Sequence, residues 1–334
     1  MSRSERITIF LARAGWGAAT RAPLAGDASN RRYERLVHPD LGTAVLMDAP
    51  PDAGEDIKSF IKIAKHLAAL GLGAPRILAH APQEGFVLSE DLGDSLFARV
   101  LERAPEKASL LYEAAVDVLL WLRTARLPSV DDYHIPLMAD LAALSVTWYR
   151  RCAMGETADA QADVLRRSVT DTLKALAPEP SILVLRDYHA ENLIWRPDRS
   201  GLARVGLLDF QDAMSGHPAY DLMSLLRDAR RKVPADLAEA MTARYIAGAN
   251  VDEKMFRQAC SAVSAQRNLR ILGVFTRLCV RDGKPHYIDL IPHVWANLQA
   301  DLAHPALSEL GAVVDAVLPL PETALCDRLK ALAA

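Results

Sequence analysis

The sequence predicts an α+β fold in two lobes: a small, β-rich N-terminal lobe with one helix, and a larger, mainly helical C-terminal lobe. Three observations lead there. Between residues 20 and 93, turn-forming clusters alternate with short strand-like runs. From residue 95 to about residue 177, apolar residues recur at helical spacing. Short β runs then interrupt the helices before helical spacing resumes at residue 221 and continues to the end. A chain of 334 residues with 51% hydrophobic side chains is long enough to bury two such cores, with the expected boundary at Gly93, dividing residues 1–93 from 94–334.

Residues 4–15 read as a short helix. "AGDASN" precedes "RRYERLV", and "HPDLG" separates it from "TAVLM", stretches that suit antiparallel strands joined by tight connections. In "GEDIKSFIKIAKHLAALGLG", Ile57, Phe60, Ile61, Ala64, Leu67 and Ala68 fall on one helical face, and Gly71 stands where the helix should stop. "PRILAHA" and "GFVLSEDLG" are strand candidates split by a Pro-Gln-Glu-Gly turn. With a first strand ahead of "AGDASN", the lobe is expected to hold five strands. Helical segments follow from "SLFARVLERA" to "TADAQADVLRRSVTDTLKAL", then the β runs "SILVL", "NLIW" and "LARVGLLDF", then helices again.

Bulk properties exclude several classes. A formal charge of -3 offers no field that would recruit nucleic acid or an anionic membrane. Cys152, Cys260, Cys279 and Cys326 lie far apart with no CxxC pair, which argues against zinc and against disulfides. Arg13 interrupts the apolar run near the start, and no segment is long enough to span a bilayer. The expectation is a reduced, cytoplasmic protein.

The chemistry concentrates in "LRDYHAENLIW", residues 185–195. Asp187 and Asn192 are five positions apart, and Asp209 follows a hairpin whose turn is "RPDRSG". Phosphoryl transfer from ATP needs such a set. One carboxylate orients and deprotonates the acceptor hydroxyl, while an amide oxygen and a second carboxylate hold Mg2+ against the phosphates. Taken alone, Asp-x4-Asn is equally a polar turn ahead of a buried strand. The order of a β meander with its helix, then "LSEDLG", then this loop and "LLDF" favours the catalytic reading.

This stretch resembles the catalytic loop of the kinase-like phosphotransferases. "LRDYHAEN" is similar to the protein-kinase pattern H-R-D-x-x-x-x-N, with Leu185 in the histidine's place. It also resembles the aminoglycoside and choline kinase branch, where a glycine usually stands at the position of Arg186. "LLDFQDAMSGHPAYDLMSLL" is closer to that branch, because "GHPAYDL" follows Asp209 where protein kinases carry an activation segment. The resemblance implies a protein-kinase-like fold, ATP and Mg2+ as cofactors, Asp187 as base and Asn192 and Asp209 as metal ligands. It also implies that Asp221 supports the loop.

For "LSEDLG" the residues establish only a lobe boundary. The resemblance makes it the hinge that pairs with adenine through its backbone, which nominates Ser89, Glu90, Asp91 and Leu92. "LAGDASNRRYERL" occupies the place of the phosphate-covering loop but has a single glycine, Gly26. Asp27, Ser29 and Asn30 suit a tight turn with exposed amides, a nest for phosphate oxygens, although an ordinary hairpin fits too.

The clearest departure is the third strand, which carries Met47 where a kinase has its phosphate-binding lysine. The next helix offers only Glu55 and Asp56 at its start. Either catalysis is lost, leaving a nucleotide-binding pseudokinase, or Arg31 or Arg32 supplies the charge. Alternation along a strand lets only one of the two face the nucleotide.

In "QRNLRILGVFTRLCVRDGK", Leu272, Phe275, Leu278 and Cys279 form an apolar face, and Arg270, Arg277 and Arg281 line up at helical spacing. The arginines equally suit a solvated charged stripe; lining an acceptor site, a basic late helix suits a neutral or anionic small-molecule hydroxyl acceptor better than a polyamine. His189, Gln266, Arg267 and Asn268 are acceptor-site candidates by position. The chain as a whole resembles the cell-wall amino-sugar kinases, which implies the anomeric hydroxyl of N-acetylmuramate or N-acetylglucosamine as acceptor. An aminoglycoside, choline or homoserine is the alternative.

Overall fold

In the computed structural model, which describes residues 1–24, 31–53, 57–155, 159–178 and 182–333, the chain opens on helix α1 (Arg3–Arg13). A capping box starts it: Ser2 Oγ accepts the Glu5 N–H at 3.2 Å, and the Glu5 carboxylate accepts the Ser2 N–H at 2.7 Å. Strands β1 (Thr20–Leu24), β2 (Arg32–His38) and β3 (Gly42–Asp48) follow. Next come α2 (Ile57–Ala69), β4 (Ile77–Ala81), β5 (Phe86–Glu90), α3 (Phe97–Arg103) and α4 (Ala108–Thr124). After α5 (Ile135–Ala142), a π-helical stretch Ser145–Arg150, α6 (Arg151–Met154) and α7 (Asp159–Leu176) come four short strands. These are β6 (Ile182–Val184), β7 (Leu193–Trp195), β8 (Val205–Leu207) and β9 (Met214–Gly216). Helices α8 (Ala219–Leu226), α9 (Ala235–Ala249), α10 (Glu253–Val280), α11 (Ile291–Leu302), α12 (Ser308–Val317) and α13 (Thr323–Lys330) complete the chain. The fold is α+β, and the five N-terminal strands stand where the sequence predicts them; β9 carries no strand signal of its own.

Contacts divide the chain into two compact units, Met1–Val118 with Glu191–Ala213, and Leu119–Ala190 with Met214–Ala334. The division does not follow a single cut at Gly93. Helix α3, the start of α4 and the β7–β8 hairpin group with the sheet for local reasons: Leu96 bridges Ile194, Trp195 N–H bonds Ser95 O at 2.8 Å, and Leu207 N–H bonds Gly73 O at 3.1 Å. A Cβ at Gly73 would strike the Val205 carbonyl, so only glycine lets these two backbones meet.

Within the first unit the antiparallel sheet runs β1-β2-β3-β5-β4. Its two faces follow from alternation. Leu36, Ala44, Leu46, Phe86 and Leu88 pack against Ile7, Phe10 and Leu11 of α1. On that same face Asp48 pairs with Arg3. Val45 and Met47 point the other way, with Tyr33 opposite Met47 on β2 and Val87 opposite it on β5. Helix α2 buries Ile57, Phe60, Ile61, Ile63, Ala64 and Leu67, close to the stripe expected.

The second unit is built around α10, whose 28 residues pack on α5, α7, α8, α11 and the π-helical stretch. Gly273 permits the closest approach, since a Cβ there would run into the Leu144 backbone. Strand β6 pairs antiparallel with β9, and Tyr133 N–H bonds Ser215 O at 2.7 Å beside them. All four cysteines are free thiols. Among the described residues no helix is long and apolar enough to cross a membrane.

Candidate active site

In the first unit, the β7–β8 hairpin sets the spacing of Asn192 and Asp209. Leu193 pairs with Leu207, and Leu208 N–H bonds Asn192 O at 3.0 Å, so the residues flanking the paired strands are brought side by side. Asn192 Nδ2 lies 3.5 Å from Asp209 Oδ2, and Gln211 Nε2 donates to Asp209 Oδ1 at 2.8 Å. Asp209 adopts φ +55°, a left-handed conformation that aspartate tolerates better than most residues. The next residue, Phe210, is fully buried and stacks on Phe60 of α2 at 5.1 Å, which fixes the backbone carrying Asp209. One carboxylate and one amide oxygen are hard donors of the kind Mg2+ takes while retaining waters. Among the described residues no group of three or more His, Cys, Asp or Glu side chains is placed to hold a metal.

The other nucleotide-side candidates are in the same unit. Asp27, Ser29 and Asn30, like Glu55 and Asp56, lie outside the described residues. Arg32 pairs with Asp48 in register and shares the face of α1; continuing the alternation puts Arg31 on the face of Met47. Met47 itself is buried at 2% exposure and contributes packing. At the expected hinge, Ser89 is buried in β5 opposite Val45. Glu90 uses its N–H on Arg76 O at 2.8 Å and its carboxylate on Arg196 at 2.9 Å. Asp91 and Asp94 clasp Arg35 of β2, at 2.8 and 2.6 Å, and Leu92 is buried.

The second unit holds Asp187 on the turn that follows β6. Asp221, at the start of α8, accepts the Leu185 N–H at 2.6 Å and the Arg186 N–H at 2.8 Å through its two carboxylate oxygens. Ser224, one turn further along α8, donates to Arg186 O at 3.3 Å and receives Arg267 Nη2 at 2.8 Å. The peptide groups before Asp187 are therefore held from both sides. Burial pushes Asp221 up to about 7 despite those two N–H donors. For Asp187 burial also acts upward, but Arg270, His189, Arg186 and Arg267 outweigh it and keep the carboxyl below its ordinary range. Asp187 is a carboxylate at neutral pH.

Further residues complete this surrounding. Arg270 Nη1 donates to Tyr220 Oη at 3.0 Å, Tyr220 Oη lies 3.5 Å from Tyr133 Oη, and the Arg186 guanidinium sits 5.1 Å above the Tyr133 ring. Burial brings His189 down to about 4, so its imidazole is neutral and Nε2 can face Arg230 Nη1 at 3.3 Å. Of the acceptor candidates read from sequence, His189 and Arg267 come to Asp187. Gln266 instead donates to Met138 O at 2.7 Å, and Asn268 to Asp301 Oδ2 at 3.0 Å, where both tie helices together. The expected arginine stripe also divides: Arg270 is inside beside Tyr220, whereas Arg281 is exposed and paired with Asp282 at 2.6 Å. Sequence reasoning did not single out Tyr133, Tyr220, Ser224 or Gln211. The one signal available was Arg186 itself, an arginine where the resembling family usually has glycine.

Comparison with known proteins bears on the family and the fold. The model of a family described as the phosphotransferase enzyme family matches residues 20–255. The N-acetylmuramate/N-acetylglucosamine kinase of Caulobacter vibrioides is 38% identical over 93% of this chain and 95% of that protein. In structure the chain is similar to a choline/ethanolamine kinase family protein from Mesorhizobium loti, with a TM-score of 0.63 over 94% of this chain and 99% of that one at 16% identity. An ADP-bound aminoglycoside phosphotransferase is similar over 92% and 98% of the two chains, with a TM-score of 0.60 and 12% identity. At such identities the structural likeness speaks for the fold.

Proposed function

The chain belongs to the phosphotransferase enzyme family, and from that premise we propose that it is an ATP- and Mg2+-dependent kinase acting on the anomeric hydroxyl of N-acetylmuramate or N-acetylglucosamine. The carrying observation is the sequence spacing that sets Asp187 five positions from Asn192, with each unit's own geometry beside it. Asp187 is kept ionised by arginines, and Asn192 stands 3.5 Å from Asp209 across the hairpin ends. In this reading Asp187 orients the acceptor hydroxyl and takes its proton, and Asn192 and Asp209 hold Mg2+. The metal, when bound, neutralises and aligns the phosphates. Asp221 positions the loop through its two N–H bonds.

Three further points support the reading. Asp187 is a weak base, and the anomeric hydroxyl of a sugar is more acidic than an ordinary alcohol, so the two are matched. Cationic side chains around Asp187 repel a polyamine such as an aminoglycoside and tolerate a neutral or anionic sugar. The relative from Caulobacter vibrioides is named as an N-acetylmuramate/N-acetylglucosamine kinase and matches nearly end to end. Of the two arginines nominated for the missing lysine, we assign Arg31, on Met47's face, and we assign the adenine contact to the backbone at Asp91 and Leu92. We assign the reaction to the cytoplasm, where ATP is available.

The test is ADP release with a panel of acceptors. N-acetylmuramate and N-acetylglucosamine should be the best substrates, and Asp187→Asn should lower kcat by about 100-fold or more. Faster turnover of an aminoglycoside, choline or homoserine would overturn the acceptor assignment. ATP binding with no turnover of any acceptor would make the protein a pseudokinase.

A further inference from the structure

Resting on the kinase reading above, we propose that Arg267 is a positioning residue for Asp187, acting through the hydroxyl of Ser224 on the carbonyl of Arg186. The turn it acts on is strained. Asp187 N–H bonds Leu185 O at 2.9 Å, an i to i+2 bond that closes three residues with Arg186 at their centre, and Arg186 has φ +71°. A three-residue turn with a positive central φ is the rare γ form, and a central side chain other than glycine's adds to its cost. Such a conformation persists only where the surroundings over-determine it.

Here the surroundings do so from α8. Asp221 accepts the N–H groups of Leu185 and Arg186 at 2.6 and 2.8 Å, and these bonds fix the way into the turn. The way out is the peptide joining Arg186 to Asp187, and its oxygen accepts the Ser224 hydroxyl at 3.3 Å. A serine hydroxyl has one hydrogen and can turn it towards several acceptors, the carbonyl one helical turn back among them. Arg267 restricts that choice. Its Nη2 donates to Ser224 Oγ at 2.8 Å, and a guanidinium only donates, so the serine hydrogen must point elsewhere, with Arg186 O in reach. Donation from a cation also polarises the hydroxyl and strengthens the bond it makes in turn.

The placing of Arg267 serves this relay. Its neighbours on α10 fasten the helix to two others, Gln266 through Met138 O on α5 and Asn268 through Asp301 on α11, while Arg267 is directed at α8. Arg267 is 4% exposed, and its Nε and Nη1 have no hydrogen-bond partner among the described residues. A buried cation so sparsely bonded contributes little to stability, and an apolar side chain would fill the same space at less cost. Its effect falls on the loop: burial pushes the Asp187 carboxyl up, and Arg267 is one of four groups that together overcome that push.

Arg267→Met, Arg267→Lys, Ser224→Ala and the double variant of Arg267→Met with Ser224→Ala are assayed with N-acetylglucosamine, ATP and Mg2+, and the folding of each is checked by denaturant unfolding. Ser224→Ala and Arg267→Met should each lower kcat about tenfold or more, with the KM of the sugar and of ATP moving less than about threefold. The double variant should lie within about threefold of Arg267→Met, because both changes break one relay. Arg267→Lys keeps a cationic donor and should recover part of the loss. A kcat within about threefold of the parent's in Ser224→Ala or in a folded Arg267→Met overturns the inference. So do losses that multiply in the double variant, losses that fall on the KM of the sugar instead of on kcat, or an Arg267→Lys no better than Arg267→Met. If Arg267→Met does not fold, the Ser224→Ala result decides alone. A parent enzyme without turnover overturns the functional reading, and this inference falls with it.

Discussion

Asp221 shows what a single side chain does for this site. Its two oxygens satisfy consecutive N–H groups at 2.6 and 2.8 Å, and those N–H groups belong to the residues immediately before Asp187. Asp221→Ala leaves both donors unmet in a buried setting, partly offset by removal of a buried carboxyl, so a stability loss of about 2 kcal/mol is expected. The same change should lower kcat about tenfold or more with a smaller effect on the KM of ATP, because it loosens Asp187 and touches no nucleotide contact. Asp221→Asn, which keeps one acceptor oxygen, should fall between. Steady-state kinetics with denaturant unfolding checks both parts; wild-type kcat in Asp221→Ala would contradict the positioning role. At this scale the sequence nominates a residue where chemistry demands its type, as with Asp187, Asn192 and Asp209. It was silent where the role depends on which neighbour arrives, as for Ser224 and Tyr133.

Elements tell a similar story, and α10 is the clearest case. Its periodicity separates faces about 100° per residue apart, so Gln266, Arg267 and Asn268 must point three ways. Which of the three meets the loop of Asp187 depends on how α10 lies against α5, α8 and α11, and no local pattern encodes that. Arg267 reaches Ser224 of α8, Gln266 reaches Met138 of α5, and Asn268 reaches Asp301 of α11. The strands were more legible, because alternation admits only two faces and the register then places Arg32 beside Asp48. Gly273 gives a prediction at this scale. Helix propensity favours alanine over glycine by roughly 1 kcal/mol, yet a Cβ at Gly273 meets the Leu144 backbone. Gly273→Ala should therefore destabilise, by about 1–3 kcal/mol, as overpacking does. A rise in melting temperature would show that the two elements can separate without cost.

For the molecule as a whole, buried titrating groups oppose one another. His189 and His217 are held down to about 4, chiefly by burial. They stay neutral in the fold, so unfolding takes up protons, and their contribution to stability is lost as pH falls from 6.5 toward 4. Asp221 and Asp301 are raised by burial to about 7. They stay protonated in the fold, so their contribution is present in acid and is lost as pH rises from 3.8 toward 7. All four groups belong to the second unit, and over about pH 4.5–6.5 the two pairs cancel, which predicts stability nearly flat with pH. Asp301→Asn removes one opposing proton, and its stability should then fall toward acid by about 1.4 kcal/mol per pH unit. Denaturant unfolding of parent and variant across that range checks the prediction, and parallel curves would contradict it.

In the proposed reaction, phosphate goes to the anomeric hydroxyl of an amino sugar. The most direct measurement is 31P and 1H NMR of the product formed from N-acetylglucosamine, ATP and Mg2+. The expected product is a non-reducing 1-phosphate whose phosphorus couples to the anomeric proton. A product that stays reducing because the phosphate is on another hydroxyl, or ADP formed with no sugar phosphate, would contradict it.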